Sequence, residues 1–149
     1  MESYRIVSEL TEQQISELTE LYSNEFWSQN RTQQDVAKIL AGSDIVIGLV
    51  DECAHLVGFI RVLTDFIYRA FIFDVIVKPT HRNQGLGKKL LDSVVHHPQL
   101  QSVEYFGLYC LPEMVPFYER WGFTAEIGEI QLMIRPNNVT SLDTLPLKD

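Results

Sequence analysis

With 149 residues, 46% of them apolar and 21% charged, the chain has the length and balance of one compact domain with a sizeable core, and a second domain of ordinary size is excluded. A formal net charge of −8 argues against nucleic acid, whose binding rests on basic surface, and suits a cationic or amine-bearing partner better. Cys53 and Cys110 stand in no cluster at metal-ligand spacing and form a poor disulfide framework. No apolar run approaches the roughly 18 residues of a membrane span, and Met1 to Arg5 lacks a signal-peptide pattern, so a soluble cytoplasmic protein without a metal or a membrane partner is expected.

Residues 4–7 read as a short first strand. Thr11 and Gln14 then form a capping-box pattern ahead of Ile15, Leu18, Leu21 and Tyr22 at helical spacing, and Thr32 with Asp35 repeats it ahead of Val36, Ile39 and Leu40, with Gly42 as the stop. The linker between the two helices, residues 23–31, carries Phe26 and Trp27 and is aromatic for a simple connection. Three apolar runs at 45–50, 56–63 and 70–77 have strand length and composition, the first two joined by a turn at Asp51 and Glu52. A third helix starts near Gly85, buries Leu86, Leu90, Leu91, Val94 and Val95 on one face, and stops by Pro98. Residues 103–109 read as a strand, 112–121 as a short helix closed by Gly122, and 129–134 as a last strand. A mixed α/β fold follows: a central, mostly antiparallel sheet in front, strand-helix-strand crossovers behind, and helices on its flanks.

The stretch from Asp74 to Lys88 runs from a buried strand through a glycine loop into an amphipathic helix. The first amides of a helix lack internal acceptors and sit at the positive end of its dipole, so such a loop suits a pyrophosphate. A nucleotide P-loop ending at Gly87 and Lys88 would need Gly at 82 and Ser or Thr at 89, where Arg82 and Lys89 stand. A dinucleotide fingerprint starting at Gly85 would need a small residue at 90, which is Leu90.

Arg82-x-x-Gly85-x-Gly87, preceded by Val77-x-Pro79, resembles the acetyl-coenzyme A loop of the GCN5-related N-acetyltransferase (GNAT) superfamily. The segment 115–123, with Phe117, Tyr118, Gly122 and Phe123, resembles the family's Phe-Tyr-x-x-x-Gly-Phe stretch. The resemblance covers residues 1–135 as one domain and leaves 136–149 as a polar tail. A narrower likeness, to small bacterial members, rests on Phe26, Trp27 and Arg31 and on Arg61 with Thr64 and Asp65.

The resemblance implies that acetyl-coenzyme A is held by the backbone of Arg82, Asn83, Gln84, Gly85, Leu86, Gly87 and Lys88 and by the strand backbone at Val75, Ile76 and Val77. An amine would attack the thioester directly, with a backbone amide near Ile76 at the oxyanion and Tyr118 as general acid. An unperturbed tyrosine is a weaker acid than a thiol, so that proton transfer is uphill by ~2 kcal/mol unless the site lowers the tyrosine's pKa. Strand alternation sets Asp74 and Ile76 on one face and Val75 and Val77 on the other. A carboxylate in so apolar a run needs a reason: a base or charge for the amine on one reading, a hydrogen bond to backbone or to Arg61 on the other. Phe71 and Phe73 stand where arylalkylamine N-acetyltransferases carry two histidines, so that chemistry is not inherited. Trp27, Arg31 and Asp65 are the expected lining of the acceptor pocket. A small-molecule amine is the expected acceptor; a protein lysine or N-terminus, or an acyl-coenzyme A sensor without turnover, is the alternative, and the oligomeric state, a homodimer included, stays open.

Overall fold

Both expected capping boxes close. In the computed structural model, which describes residues 3–137, α1 (Glu12–Ser23) starts at Thr11, whose hydroxyl accepts from the Gln14 amide while the Gln14 side chain accepts from the Thr11 amide. The same reciprocal pair, Thr32 with Asp35, starts α2 (Gln33–Gly42). Each satisfies two amides that a helix start leaves without partners.

The sheet has five strands in chain order: β1 (Arg5–Val7), β2 (Ile45–Val50), β3 (Leu56–Thr64), β4 (Arg69–Val77) and β5 (Tyr105–Gly107). The first four pair antiparallel, and β5 pairs parallel with β4 after the crossover through α3 (Leu86–Val95). Alternation then fills two cores, one on each side. Ile47, Ile60, Val62, Ala70 and Ile72 pack with Leu86, Leu90, Leu91 and Val94 of α3 and with Tyr118 of α4 (Val115–Glu119); Leu56, Phe59 and Ile76 pack with Leu18, Leu21 and Tyr22 of α1 and Val36 of α2.

Two strand expectations are corrected. Only 105–107 of the 103–109 run is a strand. Residues 129–134 form none, and Ile130, Leu132 and Met133 stand exposed. The physical reason is that an alternating apolar pattern becomes a strand only where a ladder partner receives it. The neighbour available, β5, is three residues long and ends at Gly107, against which the Phe71 ring packs so tightly that a Cβ would lie 2.6 Å from it. Of the polar tail expected at 136–149, residues 138–149 lie outside the described residues.

Candidate acyl-transfer site

β4 carries the site, and a bulge sets its shape. The β3 register passes from Phe59↔Ile76 to Arg61↔Phe73, so Asp74 and Val75 together oppose Ile60. Asp74 takes a φ of 58°, a conformation that costs most residues free energy and that aspartate tolerates better than most. Its carboxylate then points to the α1/α2 side of the sheet, 6% exposed. There Oδ2 accepts from three donors: Arg61 Nε at 2.6 Å, Tyr22 Oη at 2.8 Å and Arg31 Nη1 at 3.0 Å. Burial first, then the neighbouring Asp74 carboxylate, pushes the Tyr22 hydroxyl well above the ordinary tyrosine range, so it acts as a fixed donor. Aromatic rings extend the cluster. The Arg31 guanidinium lies 4.5 Å from the Tyr22 ring centroid and 5.4 Å from that of Trp27, and Arg61 lies 5.0 Å from that of Phe73, which meets Tyr109 edge-on.

The other edge of β4 opens at the same place. Pairing with β5 ends at Phe71↔Gly107, whereas β4 continues to Val77, so residues 72–77 have no strand beside them on that side among the described residues. The open backbone includes Val75 and Val77, although the Val77 carbonyl accepts from Arg82 Nε at 3.1 Å; Ile76, opposite Phe59, turns its backbone to β3. A one-turn 3-10 helix (Pro79–His81) carries the chain from β4 to the loop 82–85, all of it exposed. Gly85 is the cap of α3 with a φ of 76°, and no side chain caps the helix, which starts from an exposed loop. Asn83 is also left-handed, with a φ of 65°. Gly87 is constrained by space: a Cβ there would meet the Phe117 ring at 3.3 Å. An uncapped helix start, an exposed Gly85 and an unpaired strand edge at one end of the sheet fit a pyrophosphate with an extended, amide-bearing arm. Lys88 is engaged elsewhere, with Asp92 one turn on at 2.7 Å.

Tyr118 stands on α4, 8% exposed, its ring packed on Phe117 and Phe123. Its hydroxyl makes no hydrogen bond among the described residues, and it is not a fully enclosed polar atom. Burial first, and then Cys110, push it up to about 12. The site thus moves the tyrosine away from a thiol's range, and the uphill step becomes roughly 5 kcal/mol at 1.36 kcal/mol per pKa unit. Cys110 is exposed.

Trp27, Arg31 and Asp74 are therefore together; Asp65 is not with them. It sits in the β3–β4 turn, and its Oδ1 accepts the amides of Tyr68 at 2.7 Å, Ile67 at 2.9 Å and Arg69 at 3.1 Å, which hold it below the ordinary carboxylate range. Five residue steps along β4, roughly 16 Å, lead from Arg69 to Asp74. Tyr22 was legible only as a core residue of α1. Its one signal was a phenol in a helix stripe that faces a strand carrying a buried carboxylate.

The sequence profile of the acetyltransferase (GNAT) domain matches residues 42–125, which spans β2 to α4 but not α1, α2 or the linker between them that carries Trp27 and Arg31. The chain belongs to the GNAT family. It is 31% identical over 112 residues to the N-acetyltransferase ycf52 of Pyropia yezoensis, covering 73% of this chain and 64% of that protein. It is 28% identical over 106 residues to the chloroplastic GCN5-related N-acetyltransferase 1 of Arabidopsis thaliana, covering 68% of this chain and 54% of that one. The chain thus spans somewhat under two thirds of these relatives. A crystal structure from Xanthomonas campestris pv. campestris, described as a GNAT-family acetyltransferase, superposes with a TM-score of 0.81 at 28% identity, over 92% of this chain and 95% of that one. Among the described residues no helix is long and apolar enough to cross a membrane.

Proposed function

We propose that the protein transfers an acetyl group from acetyl-coenzyme A to a primary amine of a small molecule by direct attack. The observation that carries the reading is the open edge of β4 at residues 72–77 beside the uncapped start of α3. On this reading the amides from Arg82 to Lys88 hold the pyrophosphate, and the outward-facing backbone of Val75 and Val77, on either side of Ile76, pairs with the pantetheine amides. That brings the thioester to the bulge, where an amide near Ile76 stabilises the oxyanion. Amine nitrogen forms the new C–N bond, the C–S bond breaks, and the amine's proton leaves to solvent. Tyr118 donates a hydrogen bond to the departing sulfur; with its pKa raised it assists as donor without giving up the proton in full. Asp74, with Oδ2 occupied by three donors, holds Arg31 and Arg61 in place beside the acceptor.

Coenzyme A titration followed by thiol release over an amine panel, with mass detection of product, tests the reading. Saturable binding with turnover on small amines is the expected result. Binding without turnover on any acceptor would leave an acyl-coenzyme A sensor, and turnover only on peptides would move the acceptor to protein. Loss of neither affinity nor rate in a folded Gly85→Val variant would overturn the loop assignment.

A further inference from the structure

The Asp74 cluster holds two guanidinium groups against one carboxylate. Arg61, 14% exposed, donates from Nε at 2.6 Å and is sufficient to neutralise Asp74. Arg31 is the surplus charge. It uses Nη1 alone on Asp74, is 27% exposed, and makes no other side-chain hydrogen bond among the described residues, so its Nε and Nη2 edge is open. The Tyr22 and Trp27 rings fix the plane of the guanidinium, which turns a flexible cation into an oriented one. The next carboxylate that feels Arg31, Asp35, is exposed, accepts from the Thr32 amide in the capping box of α2, and also lies under the influence of Lys38. An excess of one positive charge is thus built beside the bulge of a protein whose overall charge is −8.

We propose that the acceptor is an amine that also carries a carboxylate, and that the open edge of Arg31 takes this carboxylate in a two-pronged pair while the amine faces the open edge of β4. The inference rests on the acyl-transfer reading for the position of the reacting amine. A single surplus charge and one free two-donor edge match a monoanionic, planar carboxylate better than a phosphate dianion. Asp74 and Arg61 are positioning residues in this arrangement: they hold Arg31 by its Nη1 and leave the other edge to the substrate.

The test compares matched acceptors at equal free-amine concentration: glycine and L-phenylalanine, their carboxamides, ethanolamine and phosphoethanolamine. The carboxylates are expected to have kcat/KM at least tenfold above their amides. Arg31→Gln should erase that preference by raising KM for the carboxylates, leaving the amides within about threefold and coenzyme A affinity unchanged, and Arg31→Lys should recover part of it. Equal or better turnover of the amides, a preference for phosphoethanolamine, or a uniform loss across all acceptors in Arg31→Gln would overturn the proposal. A binding measurement separates its fate from that of the acyl-transfer reading. In a Trp121→Phe background, Trp27 is the remaining tryptophan. N-acetylglycine should change its fluorescence saturably, N-acetylglycinamide should not, and Arg31→Gln should abolish the response. If coenzyme A fails to bind but this titration succeeds, the anion site stands and the acyl-transfer reading falls; no response to N-acetylglycine overturns the anion site itself.

Discussion

Two parts of β4 that lie a few residues apart are built on opposite principles. At Asp74 the polar groups are satisfied by the protein: one carboxylate oxygen takes three donors, from α1, the α1–α2 linker and β3. At the strand's end and the start of α3 they are left open: no cap, an exposed loop, an unpaired edge. The first is an anchor made of side chains, the second a stretch of unpartnered backbone, which the acyl-transfer reading makes the receptor. On the acyl-transfer reading, a pyrophosphate of fixed geometry would meet backbone amides, which only proline removes, whereas the acceptor would meet side chains that can change.

The largest effect should come from dismantling the anchor. Asp74→Ala strands Arg31 and the mostly buried Arg61 without their shared partner, and about 3 kcal/mol of stability should be lost in denaturant unfolding. Asp74→Asn keeps an acceptor oxygen and should lose less. It should also lower kcat/KM for the acceptor while coenzyme A affinity stays within about threefold. Retention of full stability in Asp74→Ala would mean that the arginines find water or other partners, and the contrast with the open end would dissolve.

Tyr118→Phe tests whether this hydroxyl does chemistry. A fall in kcat of about 10²-fold, worth ~2.7 kcal/mol, is expected with little change in cofactor affinity. The pH profile sharpens it. A tyrosine pushed up to about 12 stays protonated through the working range, so wild type should show no falling limb from this group below about pH 11. The variant should therefore have the wild-type profile scaled down, and a profile that changes shape near neutrality would assign the proton to another group.

At the open end the expected effect is smaller. Gly85→Val forces a branched side chain into a φ of 76° and should weaken coenzyme A binding by about tenfold, or ~1.4 kcal/mol, with far-UV circular dichroism near wild type. Gly87→Glu should act by another route, displacing the Phe117 ring that already lies within 3.3 Å of a built Cβ.

What was legible in the sequence follows the same division. Local signals did well: both capping boxes, the Asp51 turn, the extents of β2 and β4, and the start of α3 at Gly85 depend on residues within a few positions of one another. The identity of Asp74's partners is long-range information, since Tyr22, Arg31 and Arg61 reach it from 52, 43 and 13 residues away. Only Arg61, its neighbour on the adjacent strand, was within reach of strand-pair reasoning. The bulge was illegible for a related reason: the sequence of β4 is smoothly apolar around Asp74, and the slip shows only against β3. The missing strand at 129–134 failed in the other direction, because its local pattern was sound and its partner was absent.

Asp65 is the smallest of the expected effects and bears most directly on where the acceptor lies. Sequence placed it in the pocket with Trp27 and Arg31, but its carboxylate is occupied by three amides of its own turn, at the far end of β4 from the bulge. Asp65→Ala should therefore leave kcat and KM for every accepted amine within a factor of two, while lowering thermal stability at neutral pH. The sign of its pH dependence is set by the amide hydrogen bonds. They depress the folded-state pKa, so the carboxylate's contribution is full above the ordinary aspartate value near ~3.9 and fades as the pH falls through the lower folded value. The stability gap between wild type and Asp65→Ala should accordingly be constant through neutrality and narrow only in acid below about pH 4. A variant that instead raises KM for one class of amine would return the turn to the acceptor pocket and place the binding surface along the whole length of β4, not at its bulge alone.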